Sequence, residues 1–130
     1  MLRATAAIAL VGRIMLAAIF VAEGVLDIPN YADVAGYMQA GGVSPRLLPL
    51  VILTELGGGL MVLTGFFARW AAIALAGFCL LTALLFHLNW ADFNESIQFQ
   101  KDIAIAGGFL MLAAFGPGAW SIDAWLARRG

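Results

Sequence analysis

Apolar residues fill four long stretches of the chain, and polar residues are confined to the links between them and to a few isolated positions. A helix rising ~1.5 Å per residue needs about 20 apolar residues to cross the ~30 Å hydrocarbon layer of a bilayer. Residues 5–26, 47–67, 70–88 and 103–120 each come close to that length. The pattern predicts an all-α polytopic membrane protein, folded as a four-transmembrane-helix bundle.

The links between these stretches are short. The residues FARW (67–70) leave almost no loop between the second and third stretches, so those two helices are expected to be antiparallel neighbours. The link 27–46 opens with a proline and an asparagine and closes with Gly41 and Gly42, which is a helix start and stop pattern. We therefore predict a short interfacial helix between the first and second transmembrane helices. Residues 89–101 mix aromatic side chains with acids, as segments at a membrane interface do.

The composition agrees with a lipid environment and narrows the function classes. Of 130 residues, 63% are hydrophobic and 12% are charged, whereas soluble domains average about 25% charged residues. The length favours a single domain, residues 1–130. The net charge of −1 argues against a nucleic-acid partner. A single cysteine, Cys79, excludes an internal disulfide. One histidine with scattered carboxylates is weak evidence for a metal site, so none is predicted.

Basic residues predict the orientation of the chain. A cleaved signal peptide is disfavoured for the first stretch, because Arg13 interrupts it and the apolar run is too long. Four arginines lie on the side shared by both termini, and only Arg46 and Lys101 lie on the other side. This distribution favours both termini in the cytoplasm. The four arginines are Arg3, Arg69, Arg128 and Arg129.

Two opposite charges fall within the predicted hydrocarbon layer. Counting ~1.5 Å per residue from the cytoplasmic boundary, Arg13 lies ~12 Å and Glu55 ~18 Å into the membrane. A lone charge at that depth costs at least ~2.5–3.5 kcal/mol. We therefore predict an intramembrane ion pair between Arg13 and Glu55, with a structural role and a functional role both open.

A second group of ionisable residues gathers near the predicted outer face. Glu23 lies ~27 Å up the first helix and His87 ~26 Å up the third. Asp27 follows Glu23 by four residues, on a similar helix face, and Lys101 and Asp102 open the fourth helix. We interpret these five residues as a candidate ligand-binding site for an amphipathic head group. The alternatives are that His87 is an interfacial hydrogen-bonding group and that Lys101 and Asp102 only mark the water boundary.

Three segments of the chain resemble the DoxX family, in particular its small bacterial inner-membrane members. They are GRIMLAAIFVAEG (12–24), YMQAGGVSPRLLPLVILTELGGGLMVLTGFFAR (37–69) and KDIAIAGGFLMLAAFGPGAWSID (101–123). The resemblance implies four transmembrane helices, the bacterial inner membrane and a link to quinone-dependent redox systems. Many family members carry a lysine shortly after the glycine that ends the first span, where this chain has Asp27. An anionic ligand held by that lysine is not expected to bind here in the same way.

Two functional hypotheses follow. The first is an accessory, oxidoreductase-associated subunit of a quinone-linked membrane system that binds a quinone or another small amphiphile near the outer face. No haem, flavin or iron–sulfur motif is evident, so whether the chain is itself an enzyme stays open. The second is a non-catalytic assembly or scaffold protein that contacts another membrane protein or itself as a homo-oligomer. Membrane lipids are partners in both hypotheses.

Overall fold

The computed structural model describes residues 2–130, and these residues form helices and no strands. The third helix is continuous but not uniform: a 3₁₀ turn opens it, and a π-helical turn, Leu53–Gly57, interrupts its α-helical hydrogen bonding. The helices are α1 (Leu2–Asp27), α2 (Tyr31–Ala40), α3 (Pro45–Thr64), α4 (Ala68–Phe86), α5 (Phe93–Phe115) and α6 (Ile122–Arg129).

Three of the helices in the described part of the chain, α1, α3 and α4, are long and apolar enough to cross a membrane. They match the first three predicted stretches to within a few residues. A helix between the first and second of these, α2, is also present as predicted.

The fourth predicted stretch differs from the structure at both ends. Helix α5 begins ten residues before position 103, at Phe93, because the Asp92 side chain accepts a hydrogen bond from the Asn94 N–H and caps it. It ends at Phe115, since Gly116 adopts a positive φ of 85°. Its first ten residues are mostly polar, and its uninterrupted apolar run, residues 103–115, is only ~20 Å long.

The helices pack through small side chains. Helix α4 packs along α5, and α1 packs along α3. Alanines dominate the buried core, and Phe20 on α1 meets Phe109 on α5 edge-to-face with ring centroids 5.3 Å apart. Most large aliphatic and aromatic side chains instead point outward, with Trp70 and Phe115 more than 70% exposed. Such a surface is stable only when lipid, rather than water, covers it.

Two glycine contacts set the register between α1 and α3. A Cβ atom built at Gly24 would lie 2.9 Å from the backbone nitrogen of Leu56, and one built at Gly59 would lie 3.1 Å from the backbone nitrogen of Val21. The two backbones therefore touch at these levels, as small residues permit between membrane helices. In this register Glu55 lies level with the last turn of α1, and Arg13 lies level with the link between α3 and α4.

Arg13 binds backbone carbonyls at the end of the bundle that holds both termini. Its Nε donates to the carbonyl of Val62 at 3.0 Å and its Nη2 to that of Leu63 at 3.1 Å. Its Nη1 donates to the carbonyls of Pro117 and Trp120 at 2.7 and 3.1 Å. Arg13 is 3% exposed, and its guanidinium thus supplies donors to the last turn of α3 and to the loop after α5. We call this arrangement the arginine clamp.

The expected Arg13–Glu55 ion pair is wrong. Both residues lie in the described part of the chain, and Arg13 has only the four carbonyls as hydrogen-bond partners there. The prediction assumed that the first and second apolar stretches begin and end at the same depth. The glycine contacts instead offset α1 against α3, so Arg13 lies beside the last turn of α3 while Glu55 projects from the middle of that helix.

Helix α6 docks on the same end of the bundle. The Asp123 carboxylate accepts hydrogen bonds from the N–H groups of Phe67 and Ala68, at 2.7 and 2.9 Å, and so caps the start of α4. The Asp123 N–H in turn donates to the Gly65 carbonyl at 2.9 Å. Gly65 has φ 74°, and a Cβ there would lie 2.4 Å from the Cβ of Ser121. The tight α3–α4 link is therefore held by α6.

Replacing Arg13 by Gln is expected to lower stability in detergent by on the order of 3 kcal/mol, because buried carbonyls lose a charged donor. Arg13→Lys should recover only part of this loss. A lysine ammonium lacks the planar, forked donors by which the guanidinium reaches carbonyls on two segments. Thermal unfolding measured by circular dichroism tests this, with Arg3→Gln, an exposed arginine on the same helix, as the control. Equal melting of Arg13→Gln and Arg3→Gln would contradict the clamp.

Adding one methyl group at Gly24 should disturb the α1–α3 contact. Gly24→Ala is expected to cost about 1–3 kcal/mol through overpacking against the Leu56 backbone. Gly12→Ala is the matched control on the same helix, because nothing lies within 4 Å of a Cβ there. That control should be neutral or slightly stabilising, since alanine favours helices over glycine. Unfolding of the two variants by a denaturing detergent measures the difference, and equal stability would refute the register.

Candidate functional site

A cavity of about 760 Å³ opens at the end of the bundle opposite the arginine clamp. Residues from α1, α2, α3, α4 and α5 line it, and most of the lining is aliphatic or aromatic. Its polar lining is dominated by ionisable side chains. We call this cavity the acidic chamber, after its six ionisable groups other than Tyr37 and Cys79: Glu23, Asp27, Asp33, Glu55, His87 and Asp102.

One wall of the acidic chamber carries two carboxyl groups in contact. Asp27 ends α1 and is 8% exposed. Glu55 projects from the π-helical turn of α3, and its side chain lies close to that of Asp27. Within the described residues, the Oε2 atom of Glu55 is buried without a hydrogen-bond partner. Glu23, one turn before Asp27, adds a third acid to this wall.

The opposite wall holds His87 between two further carboxylates. Its Nδ1 lies 2.9 Å from Oε2 of Glu95, and its Nε2 lies 3.8 Å from Oδ2 of Asp102. Because a carboxylate only accepts, the Nδ1 facing Glu95 carries a proton. The Thr82 hydroxyl lies 3.3 Å from the same oxygen of Asp102 and donates to it. These contacts tie the end of α4 to the first turns of α5.

Helix α2 covers the acidic chamber. Met38 is buried beneath it, and the Tyr37 ring stacks on Phe86 with centroids 5.2 Å apart. Gly41 lets the chain pass close to that ring, since a Cβ there would lie 2.4 Å from it. Burial, and then the charges of Glu95 and Asp102, raise the pKa of Tyr37 above its ordinary value. The Tyr37 hydroxyl at the chamber rim therefore stays protonated at neutral pH.

The structure brings together four of the five predicted ligand-binding residues. Glu23, Asp27, His87 and Asp102 line the acidic chamber, whereas Lys101 is exposed and lies outside its lining. Lys101 lies on a different face of α5 from Asp102, because adjacent residues on a helix do not face the same way. Glu55 joins the chamber from the predicted ion pair, and Arg13 does not.

Sequence reasoning missed three contributors to the acidic chamber. Asp33 and Tyr37 line the chamber, and Glu95 holds His87 at its wall, but the sequence alone does not assign any of the three to this site. The π-helical turn that aims Glu55 was also missed, and such turns are frequent at functional sites. The cluster of residues Gly57, Gly58 and Gly59 after Glu55 is the one sequence signal of irregular packing there.

The carboxyl groups of the acidic chamber can accept hydrogen bonds from a ligand. Its volume falls in the range of about 300–1,000 Å³ typical of small-molecule sites. A ligand could place an apolar body against the walls and a head group among the carboxyls. Among the described residues, no group of three or more His, Cys, Asp or Glu side chains is arranged to hold a metal ion.

Comparisons with known proteins identify the family. The sequence model of the DoxX family matches residues 8–88. The inner membrane protein YqjF of Escherichia coli K12 is 50% identical over 120 residues, which cover 92% of each chain. The inner membrane protein YphA of the same organism is 31% identical over 121 residues, or 88% of this chain and 86% of that protein. No solved structure matches this chain significantly. This protein therefore belongs to the DoxX family, and its apolar helices together with these relatives place it in the inner membrane.

Proposed function

We propose that this protein is a four-span inner-membrane protein that binds a small amphiphile in the acidic chamber, as an accessory subunit of a quinone-linked redox system. The observation that carries the binding proposal is the chamber itself, which joins apolar walls to hydrogen-bonding groups at one end of the bundle. In the proposed orientation both termini are cytoplasmic, α2 lies on the outer surface, and the chamber opens near the outer face.

Helix α5 is the proposed fourth span. It packs along α4, which supports a crossing of the same layer. Its polar first turns lie beside His87, at the end where the interfacial helix α2 also lies. Its apolar run is shorter than the ~30 Å hydrocarbon layer, and local thinning of the bilayer accommodates such a mismatch. Arg3, Arg69, Arg128 and Arg129 all fall at the opposite end, which supports a cytoplasmic location for that end.

The redox part of the proposal is supported by family resemblance rather than by residues of this chain. Two ligand classes suit the chamber by shape, a quinone and a lipid, and both have an apolar tail that fits aliphatic walls. Electron transfer would require a partner protein or the bound quinone. The proposal therefore assigns binding, and no catalytic step, to this chain.

A second candidate function is assembly, either as a scaffold for another membrane protein or as a homo-oligomer. One observation favours it. Gly77 on α4 and Gly107 on α5 have nothing within 4 Å of a built Cβ, so neither glycine is used inside the bundle. Small residues facing outward allow another helix to approach closely in lipid.

The proposed topology predicts which positions an impermeant thiol reagent reaches in intact cells. Ala91→Cys, in the α4–α5 link, should be labelled from outside, whereas Gly130→Cys should be labelled only after the membrane is opened. Cys79 is 2% exposed, so the wild-type background should be low. Three spans would instead put the two termini on opposite sides, and labelling of Gly130→Cys in intact cells would refute the four-span proposal.

Filling the chamber should expel its ligand. Native mass spectrometry of the wild-type protein, purified in mild detergent, is expected to show a bound amphiphile that solvent extraction then identifies. Val51→Phe adds bulk inside the chamber and should remove most of that adduct. Leu53→Phe is the matched control on the same helix, because Leu53 is 67% exposed and outside the lining.

Two outcomes would count against the proposal. A wild-type protein free of any amphiphile would refute binding. An adduct that Val51→Phe and Leu53→Phe retain equally would show that the amphiphile binds elsewhere. A stable complex with another membrane protein that is indifferent to Val51→Phe would favour the assembly function.

A further inference from the structure

We infer that the ligand of the acidic chamber is a cationic amphiphile, with a positively charged head group and an apolar body. The inference rests on the proposed amphiphile binding and narrows it to one head-group chemistry. It follows from four features of the described residues: the charge of the lining, the contact between two carboxyl groups, the position of every basic side chain, and the apolar character of the walls.

The lining of the acidic chamber is unbalanced in charge. Five carboxyl side chains line it, and His87 is the only basic group there, with no lysine or arginine among the described lining residues. His87 is already engaged by Glu95 and Asp102 on its own wall. The opposite wall, formed by Glu23, Asp27 and Glu55, therefore has no basic partner.

The contact between Asp27 and Glu55 needs a positive charge or a proton. Asp27 is more than nine-tenths buried, and the described residues form no ion pair with either acid. Two carboxylates held close together repel each other, and burial increases that repulsion. The Oε2 atom of Glu55 is buried and has no partner. A cation bound here would relieve the repulsion and supply the missing partner.

The protein's own basic residues cannot supply this cation. Arg13 is held by four carbonyls, two in the last turn of α3 and two in the loop after α5. Lys101 and Arg46 lie outside the chamber lining, and Arg46 is exposed in the first turn of α3. A positive charge at this wall would therefore have to come from a ligand.

The walls favour an organic cation over a bare metal ion. A hard metal ion requires six or more oxygen ligands, and the described residues contain no group of side chains arranged to hold one. Aromatic and aliphatic side chains such as Phe20, Phe78 and Leu50 instead border the acids. They would cover the apolar body of a lipophilic amine or a quaternary cation.

A pair of ions with the same shape and opposite charge tests the inference. Tetraphenylphosphonium and tetraphenylborate are titrated into the protein in a neutral detergent, with isothermal titration calorimetry as the readout. We expect the cation to bind at least about tenfold more tightly than the anion. The isosteric variant Asp27→Asn/Glu55→Gln should lose about tenfold or more of the cation affinity. Without ligand, this variant should be at least as thermostable as the wild type, because the repulsion is gone.

Asp92→Asn is the matched control. It removes one carboxylate outside the chamber lining, and asparagine still caps α5. It should leave cation binding unchanged. That result would show that the affinity depends on the chamber carboxylates and not on the net charge of the protein. Equal affinity for the two ions, or an undiminished cation affinity in Asp27→Asn/Glu55→Gln, would overturn the inference.

The failure of the inference can be told from the failure of the proposed function. If tetraphenylphosphonium does not bind while a short-tailed quinone or a native lipid binds and is expelled by Val51→Phe, the cationic head group is wrong and amphiphile binding stands. If none of these ligands binds and no adduct responds to Val51→Phe, both proposals fail together.

Discussion

The offset between α1 and α3, set where Gly24 meets the Leu56 backbone and Gly59 meets Val21, decides where every embedded charge lies. In lipid a polar group finds its partners within the protein or not at all. A shift of one helical turn between these two helices would pair different groups. In the observed register Arg13 reaches the carbonyls at the end of α3, and Glu55 reaches Asp27 at the end of α1.

The two ends of the bundle meet the cost of burying polar groups in opposite ways. At the arginine clamp, a buried cation is satisfied by four carbonyls and the adjacent loops are held by Asp123. At the acidic chamber, five acids line one cavity, and one buried carboxylate oxygen has no partner among the described residues. A fully satisfied end is suited to stability, and an end with unmet interactions is suited to binding. This asymmetry is the physical basis for assigning the ligand to the chamber.

Helix α5 shows how tertiary packing changes the meaning of a local pattern. Its polar beginning reads as a link in the sequence, but Asp92 caps it and His87 binds Glu95 and Asp102 across to α4. These contacts stabilise helical structure where apolar length alone would end it. The same contacts bring Asp102 to the chamber and leave Lys101 outside, a distinction that the order of residues along the chain does not contain.

The sequence by itself determined the solvent, the helical class, three of the long helices, the short α2 and the family, because apolar length and turn residues act locally. It also grouped Glu23, Asp27, His87 and Asp102 by depth, since depth follows from residue count. Only the tertiary structure decided that Glu55 joins them and that Arg13 does not. Partner choice depends on the offset between helices distant in sequence, which close glycine contacts and a π-helical turn fix and which counting residues from a shared boundary cannot give.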